Sequence, residues 1–244
     1  MNNISLTLQF DGSHFHGWQI QKNAMSVCEV LTNAVYAVTG EYCNIVGCSR
    51  TDAGVHAVKY VCSFKSGTTV PPDKLHLALN TKLPPSIRVL SSAIADDDFH
   101  ARFSAKSKTY LYKVNNSSIL SPFHNNYYCH FPQPTDFAKI EQAAAHFVGT
   151  HDFSAFMAAG SSQKTTVRTV NYLKVRKDCN NLEFEINATA YLYNMVRIIA
   201  GTLLYVGYGK IDPSDIPRII EGKDRKNAGI TAVPDGLYLA AVEY

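Results

Sequence analysis

The sequence lacks any long apolar run. No stretch of its 244 residues approaches the roughly 20 consecutive apolar residues that a membrane-spanning helix needs. The first residues, MNNISLTLQF, also lack the charged and then apolar layout of a signal peptide. With 46% hydrophobic and 18% charged residues, the chain can bury a substantial core. We therefore expect a soluble, cytoplasmic protein of one or two domains.

Several common motifs of catalysis are missing as well. The 6 cysteines include no C-x-x-C pair, so neither a zinc ribbon nor a disulfide framework is indicated. The 9 histidines form no H-x-x-x-H or H-E-x-x-H pattern, and no G-x-S-x-G motif occurs. The segment GYGK at residues 207–210 lacks P-loop spacing and is typical of a helix terminator. These absences argue against a metal site, a serine hydrolase and a nucleotide-binding P-loop.

A strong net charge of either sign is also absent. The formal charge of +3 and the pI near 8.4 hint only weakly at an anionic partner. A nucleic-acid site must therefore come from local clusters of basic residues. The candidates for phosphate contacts, each also compatible with an ordinary surface charge, are Arg102, Lys106, Lys108, Lys164 and Arg168.

The first half of the chain contains alternating strand and helix patterns. Residues 4–10 alternate apolar and polar side chains, the period of a half-buried strand. Ser26 and Glu29 form a capping box before a helical stripe of apolar residues. On a strand at 58–64, we expect Val58 to share a face with Tyr60, Cys62 and Phe64. The remaining predicted elements are strands at 43–48 and 87–93 and a helix at 72–80.

The second half repeats this order without visible repetition of the sequence. We predict strands at 109–114, 166–176, 182–188 and 237–242, and helices at 136–148, 192–206 and 213–221. Strand, helix, strand, strand, helix, strand is the ferredoxin-like order. The predicted fold class is α+β, with two tandem ferredoxin-like (RRM-like) βαββαβ units at 1–104 and 105–244. We expect mostly antiparallel sheets, helices on one face and an active-site cleft between the halves.

The segment GCSRTDAGVHA at residues 47–57 places Arg50 and Asp52 among small residues. Small residues let backbone or a flat substrate approach closely, whereas desolvated charges are costly unless they are paired. The pair is compatible with a structural ion pair that pins a loop. It is equally compatible with a functional carboxylate that a neighbouring cation keeps ionised.

Motifs along nearly the whole chain resemble the TruA-type tRNA pseudouridine synthases. They are FDGSHFHGWQIQ (10–21), GCSRTDAGVHA (47–57), FHARFSAKSKTYLY (99–112), GTHDFSAF (149–156), YLYNMVRIIAG (191–201) and PDGLYL (234–239). The resemblance implies a cofactor-free isomerase that converts uridine to pseudouridine in the anticodon stem-loop of tRNA, at positions 38, 39 and 40. It also implies a homodimer.

The resemblance assigns roles to individual residues. Asp52 matches the catalytic aspartate, which acts covalently or as a base at the ribose. Arg50 matches the arginine that pairs with this aspartate and helps displace the target nucleotide from its stack. Tyr110 matches a tyrosine that packs on the uracil, while we interpret Tyr112 on the same strand face as a core aromatic. Arg197 matches a basic residue near the catalytic aspartate.

Further predictions concern the buried side of the helix around Arg197 and two residues that depart from the family pattern. The buried helical stripe consists of Leu192, Met195, Val196 and Ile199, of which Leu192 and Met195 are expected to shape the pocket wall. Ser49 stands where a glycine is expected and Cys28 where a glutamine is usual, both expected near the substrate entrance.

Two rival functions follow from the same residues. One is a catalytically idle RNA-binding module, although the aromatic signature of an RRM is missing from the predicted central strands. The other is the same chemistry on another RNA.

Overall fold

The computed structural model describes residues 1–160 and 163–244, and the chain divides into two compact units. Unit 1 comprises Met1–Lys106 and Tyr238–Tyr244, and unit 2 comprises Ser107–Leu237. Within the described ranges, no helix is both long and apolar enough to cross a membrane. The mixed α+β fold class with mostly antiparallel strands is confirmed.

Unit 1 has the strand order of a ferredoxin-like fold. Strand β1 pairs antiparallel with both β3 and β4, and β2 pairs antiparallel with β3, which gives the order β4-β1-β3-β2. The elements of this unit are β1 (Asn2–Phe10), α1 (Val27–Thr39), β2 (Val46–Gly47), β3 (His56–Ser66), α2 (Leu75–Asn80) and β4 (Ile87–Ile94).

Local sequence signals explain the first elements of unit 1. The apolar positions of β1, from Ile4 to Phe10, are all buried, as the alternation predicts. Ser26 caps α1, since its side chain accepts a hydrogen bond from the backbone N–H of Glu29 at 3.2 Å. Strand β2 is much shorter than the predicted strand at 43–48.

One predicted strand face is wrong at Val58, which is 50% exposed although Tyr60, Cys62 and Phe64 are buried. The pairing explains the difference, because Leu8 lies opposite Tyr60 whereas Phe10 lies opposite Ala57. Strand β3 therefore carries one extra residue between these pairs, and such a bulge reverses the alternation of faces.

The last strand, β10 (Leu237–Glu243), corrects the predicted division of the chain. Tyr238 and Leu239 pair in parallel with His56 and Ala57 of β3, so residues 238–244 belong to unit 1 and not to the predicted second unit at 105–244. A parallel partner distant in sequence leaves no local signal, and the sequence pattern therefore could not reveal it.

Unit 2 contains a sheet in the order β5-β9-β8-β7, antiparallel throughout, with β6 in parallel beside β5. The predicted order omits β6 and β7, which are too short to show a periodic pattern. The elements are β5 (Ser107–Asn115), β6 (Cys129–His130), α3 (Phe137–Ala145), β7 (Gly149–Asp152), β8 (Val167–Asp178), β9 (Asn181–Ala188), α4 (Met195–Gly207) and α5 (Ile216–Gly222).

Candidate active site

The loop that carries Asp52 connects β2 to β3 and is held by a preceding segment of unit 1. Backbone hydrogen bonds run from Trp18 N–H to Thr51 O at 3.2 Å and from Gly54 N–H to Phe15 O at 3.2 Å. Within the loop, Val55 N–H donates to Asp52 O at 3.2 Å. The backbone on both sides of Asp52 is therefore fixed by residues 12–18, which we call the clamp.

Glycines allow the clamp to approach the loop. Gly17 has φ +84°, and a Cβ at this position would lie 2.3 Å from Thr51 O. A Cβ at Gly12 would lie 2.0 Å from Val55 O. Only glycine fits such backbone contacts. The sequence alone did not predict this role of residues 12–18, although the two glycines close together were the available signal.

The clamp also holds the start of α1 and rests on an aromatic stack. Trp18 stacks on Tyr60 of β3 with ring centroids 4.2 Å apart, and the Tyr60 hydroxyl donates to Ser49 O. Gly17 O and Trp18 O accept the N–H groups of Val27 and Cys28, each at 3.1 Å. The loop is thus tied to both a strand and a helix of unit 1.

The charges of the loop differ from the expected buried ion pair. Asp52 is half-buried, whereas Arg50 is exposed. Among the residues that the structure describes, Arg50 forms no ion pair with Asp52. The structure therefore does not contain the in-loop ion pair inferred from the sequence, and Arg50 lies at the surface.

His56, the histidine of the motif, anchors the loop at the start of β3. Its side chain is 2% exposed and stacks on Tyr238, with ring centroids 4.6 Å apart. The Nδ1 atom lies 3.1 Å from Gly12 N and 3.2 Å from Asp11 Oδ1. The ring therefore joins β3 to the clamp. Across the described part of the chain, no group of three or more His, Cys, Asp or Glu side chains could hold a metal ion.

Cys28 is buried inside unit 1, contrary to its expected place near a substrate entrance. Its side chain is 5% exposed and its Sγ lies 4.0 Å from Ile45 O. Burial raises the pKa of this thiol. The cysteine that stands here in place of the usual glutamine therefore affects packing inside unit 1. Ser49 is half-buried and its hydroxyl donates to Arg50 O at 3.4 Å.

In unit 2, the tyrosines of β5 point inward. Tyr110 is 6% exposed and makes an edge contact with Tyr191, with centroids 4.9 Å apart. Tyr191 donates its hydroxyl to Lys108 O or Ile186 O, at 2.9 and 2.8 Å, and burial raises its pKa. Tyr112 is fully buried, which confirms its interpretation as a core aromatic, and its hydroxyl donates to Val233 O at 2.7 Å.

Arg197 lies in the first turn of α4 and is held at two of its nitrogens. Its Nε donates to Ala232 O at 2.7 Å, and its Nη1 donates to Asn194 Oδ1 at 3.0 Å. The Ala232 N–H in turn donates to Arg197 O at 3.1 Å. The apolar stripe beside Arg197 is buried, as the helical spacing predicts, at Leu192, Met195, Val196 and Ile199.

The basic residues expected to contact phosphate do not share one environment. Arg102, Lys106 and Lys164 are exposed. Lys108 and Arg168 are buried, because they share strand faces with the buried Tyr110 and Val170.

Arg168 is therefore bound within unit 2. Its guanidinium donates to Val167 O at 2.6 Å and to the Gln163 side chain. Burial lowers the pKa of Arg168. The burial of Lys108 and Arg168 does not favour their predicted role as phosphate contacts.

Comparison with known proteins identifies the family. The sequence model of the family described as tRNA pseudouridine synthase matches residues 7–104 and 143–244. Proteins named tRNA pseudouridine synthase A from Thermoanaerobacter sp. (strain X514) and Acetivibrio thermocellus are 48% and 45% identical to this chain, with 100% of each chain covered. A solved structure of a Cbf5–Nop10–Gar1 complex aligns with 96% of this chain and 57% of its own, at 10% identity and a TM-score of 0.39. Because the family model spans most of the chain and these relatives match it from end to end, the chain belongs to the tRNA pseudouridine synthase family of isomerases.

Proposed function

We propose that this protein converts uridine to pseudouridine in the anticodon stem-loop of tRNA, at positions 38, 39 and 40. The reaction breaks the glycosidic C–N bond, turns the base over and forms a C–C bond from C5 to the same ribose. The product has the same atoms as the substrate, so the reaction needs no cofactor. The observation that carries this proposal is the clamped loop of Asp52, in a chain whose family performs this isomerisation.

Asp52 supplies the carboxylate that acts at the ribose, either as a nucleophile or as a base. Both roles require an oxygen within reach of C1′ or C2′. The clamp favours either role, since a backbone fixed on both sides of Asp52 restricts where its carboxylate can lie and lowers the entropic cost of reaction. The exposed Arg50 next to it contacts the displaced nucleotide.

The resemblance to the family assigns the remaining groups. Tyr110 packs on the uracil, and its hydroxyl assists removal of the C5 proton. Arg197 provides a fixed positive charge for the reacting anion, which is supported by the two hydrogen bonds that hold its guanidinium. The buried Leu192 and Met195 shape the wall of the uridine pocket.

The tRNA is bound through its phosphates by the exposed Arg102, Lys106 and Lys164. Lys108 and Arg168, being buried, are left out of this surface. We further propose that the protein is a homodimer in the cytoplasm, because holding a tRNA while reaching its anticodon arm requires more surface than one small site offers.

The experiment uses unmodified tRNA transcripts with uridine at positions 38, 39 and 40, and matched transcripts with cytidine there. Chemical mapping after incubation should show pseudouridine at these positions in the first set alone. The Asp52→Asn protein keeps the shape of the side chain but loses its charge, so it should bind tRNA and form no product. Product outside the anticodon arm would contradict the substrate, and an active Asp52→Asn protein would contradict the role of Asp52.

A further inference from the structure

The start of α4 violates several rules of helix stability within one turn. Asn194, the residue before the helix, has φ 60° and ψ 11°, a left-handed conformation that is uncommon for residues other than glycine. Asparagine in this position usually has extended backbone and caps the helix by accepting an N–H of the first turn, but here it makes no such bond. Arg197 places a cation at the positive end of the helix dipole.

One hydrogen bond accounts for these departures. The Oδ1 atom of Asn194 accepts from Nη1 of Arg197 at 3.0 Å and is therefore directed at the guanidinium instead of the helix backbone. Together with the bond from Nε to Ala232 O, it fixes the plane of the guanidinium. Local rules of stability are broken in this way mainly at functional sites.

The chemistry of the acceptor is also informative. An amide oxygen is neutral, so it can orient a guanidinium without forming an ion pair with it. A carboxylate at the same place would satisfy the charge of Arg197 and reduce its effect on a reacting anion. Asparagine also tolerates the left-handed conformation better than most residues. Residue 194 thus combines the backbone shape and the neutral acceptor that this contact requires.

We propose that Asn194 is a positioning residue that orients the guanidinium of Arg197 for pseudouridine formation, an inference that rests on the proposed role of Arg197. The test is Asn194→Gly, because glycine adopts the left-handed conformation without strain and loses only the amide. The control is Cys179→Gly, which replaces another left-handed residue, φ 51°, in an exposed turn. Wild type and Arg197→Met are measured in parallel.

The single-turnover rate of pseudouridine formation should fall about tenfold or more in Asn194→Gly, as expected for a lost hydrogen bond to a charged group. Its melting temperature and its Kd for tRNA should match those of the wild type, and Cys179→Gly should react at the wild-type rate. An unchanged rate, or a rate loss accompanied by an equal loss of tRNA affinity or by a lower melting temperature, would overturn the proposal.

A spectroscopic measurement tests the contact itself. In protein labelled with ¹⁵N-arginine, the hydrogen bond hinders rotation of the guanidinium and should separate the Nη signals of Arg197, which are identified by their loss in Arg197→Met. These signals should shift in Asn194→Gly, and signals identical to those of the wild type would overturn the proposal. If the proposed function itself is wrong, the result is distinguishable from an error in the role of Asn194. In that case the wild type forms no pseudouridine, or Arg197→Met reacts at the wild-type rate.

Discussion

Thr51, the residue before Asp52, carries a buried hydroxyl. The residue is 9% exposed, and its Oγ1 atom has no hydrogen-bond partner among the residues that the structure describes. A buried hydroxyl without a partner costs about 1–3 kcal/mol of stability, so local packing alone does not account for a threonine here.

Thr51→Val should therefore raise the free energy of unfolding by about 1 kcal/mol, since valine has the same shape without the polar atom. Urea denaturation measures the change. Thr51→Ser is the matched control, because it keeps the hydroxyl and loses a buried methyl group, and it should be less stable than the wild type. A valine variant that is less stable than the wild type would show that the hydroxyl has a partner in solution.

At the scale of elements, the clamp determines where Asp52 lies. In Gly17→Ala the new Cβ would lie 2.3 Å from Thr51 O, so the clamp or the loop must shift. Because small displacements of a catalytic group have large kinetic effects, we expect pseudouridine formation to slow about tenfold or more. Stability should fall by about 1–3 kcal/mol, because the backbone is also left-handed.

Gly40→Ala is the control that separates the strain of the left-handed backbone from the displacement of the loop. Gly40 ends α1 with φ +75°, and a Cβ there would meet nothing within 4 Å. This variant should lose stability through backbone strain and keep its turnover rate. Equal rates for Gly17→Ala and Gly40→Ala would show that the clamp does not position the loop.

Another element-scale prediction concerns Asp152 at the end of β7. The pKa of its carboxyl lies well below the ordinary value, mainly because the Ser154 hydroxyl donates a hydrogen bond to it. Hydrogen bonds from the Thr166 side chain and from Lys223, whose Nζ lies 2.9 Å away, lower this pKa further. A depressed folded-state pKa stabilises the protein above the unfolded value of about 4, and this contribution is lost as the pH falls further.

Asp152→Asn should therefore lower the free energy of unfolding by about 1–2 kcal/mol at pH 7, and the difference from wild type should shrink below about pH 4. Urea denaturation at a series of pH values tests this. Glu221→Gln, at an exposed position of α5, is the control and should have little effect. A difference that is independent of pH would contradict the role of the carboxylate charge.

At the scale of the whole molecule, tRNA binding must depend on local clusters because the net charge is only +3. Removing the exposed pair in Arg102→Ala/Lys106→Ala should weaken tRNA binding. It should also reduce the slope of log K against log salt by about 1 for each lost phosphate contact. Lys177→Ala, an exposed charge at the end of a hairpin, is the control and should leave the slope unchanged. An unchanged slope in the double variant would exclude both residues as phosphate contacts.

The strands and helices could be predicted from the sequence wherever their periodicity is local. The alternation in β1 and the stripe around Met195 gave the correct buried faces, because period 2 and period 3.6 are properties of neighbouring residues. The bulge that exposes Val58 and the parallel pairing of Tyr238 with His56 could not be predicted. Both depend on a partner strand that lies far away in the sequence.

The sequence by itself determined the family, the order of the longer elements and the residues that match its catalytic motif, because these depend on residue type and spacing. The tertiary structure decided what surrounds those residues. It exposed Arg50, buried Lys108 and brought the clamp, residues 12–18, against the loop of Asp52. The physical reason is that burial and hydrogen bonding are set by contacts between segments distant along the chain, and a local pattern does not encode those contacts.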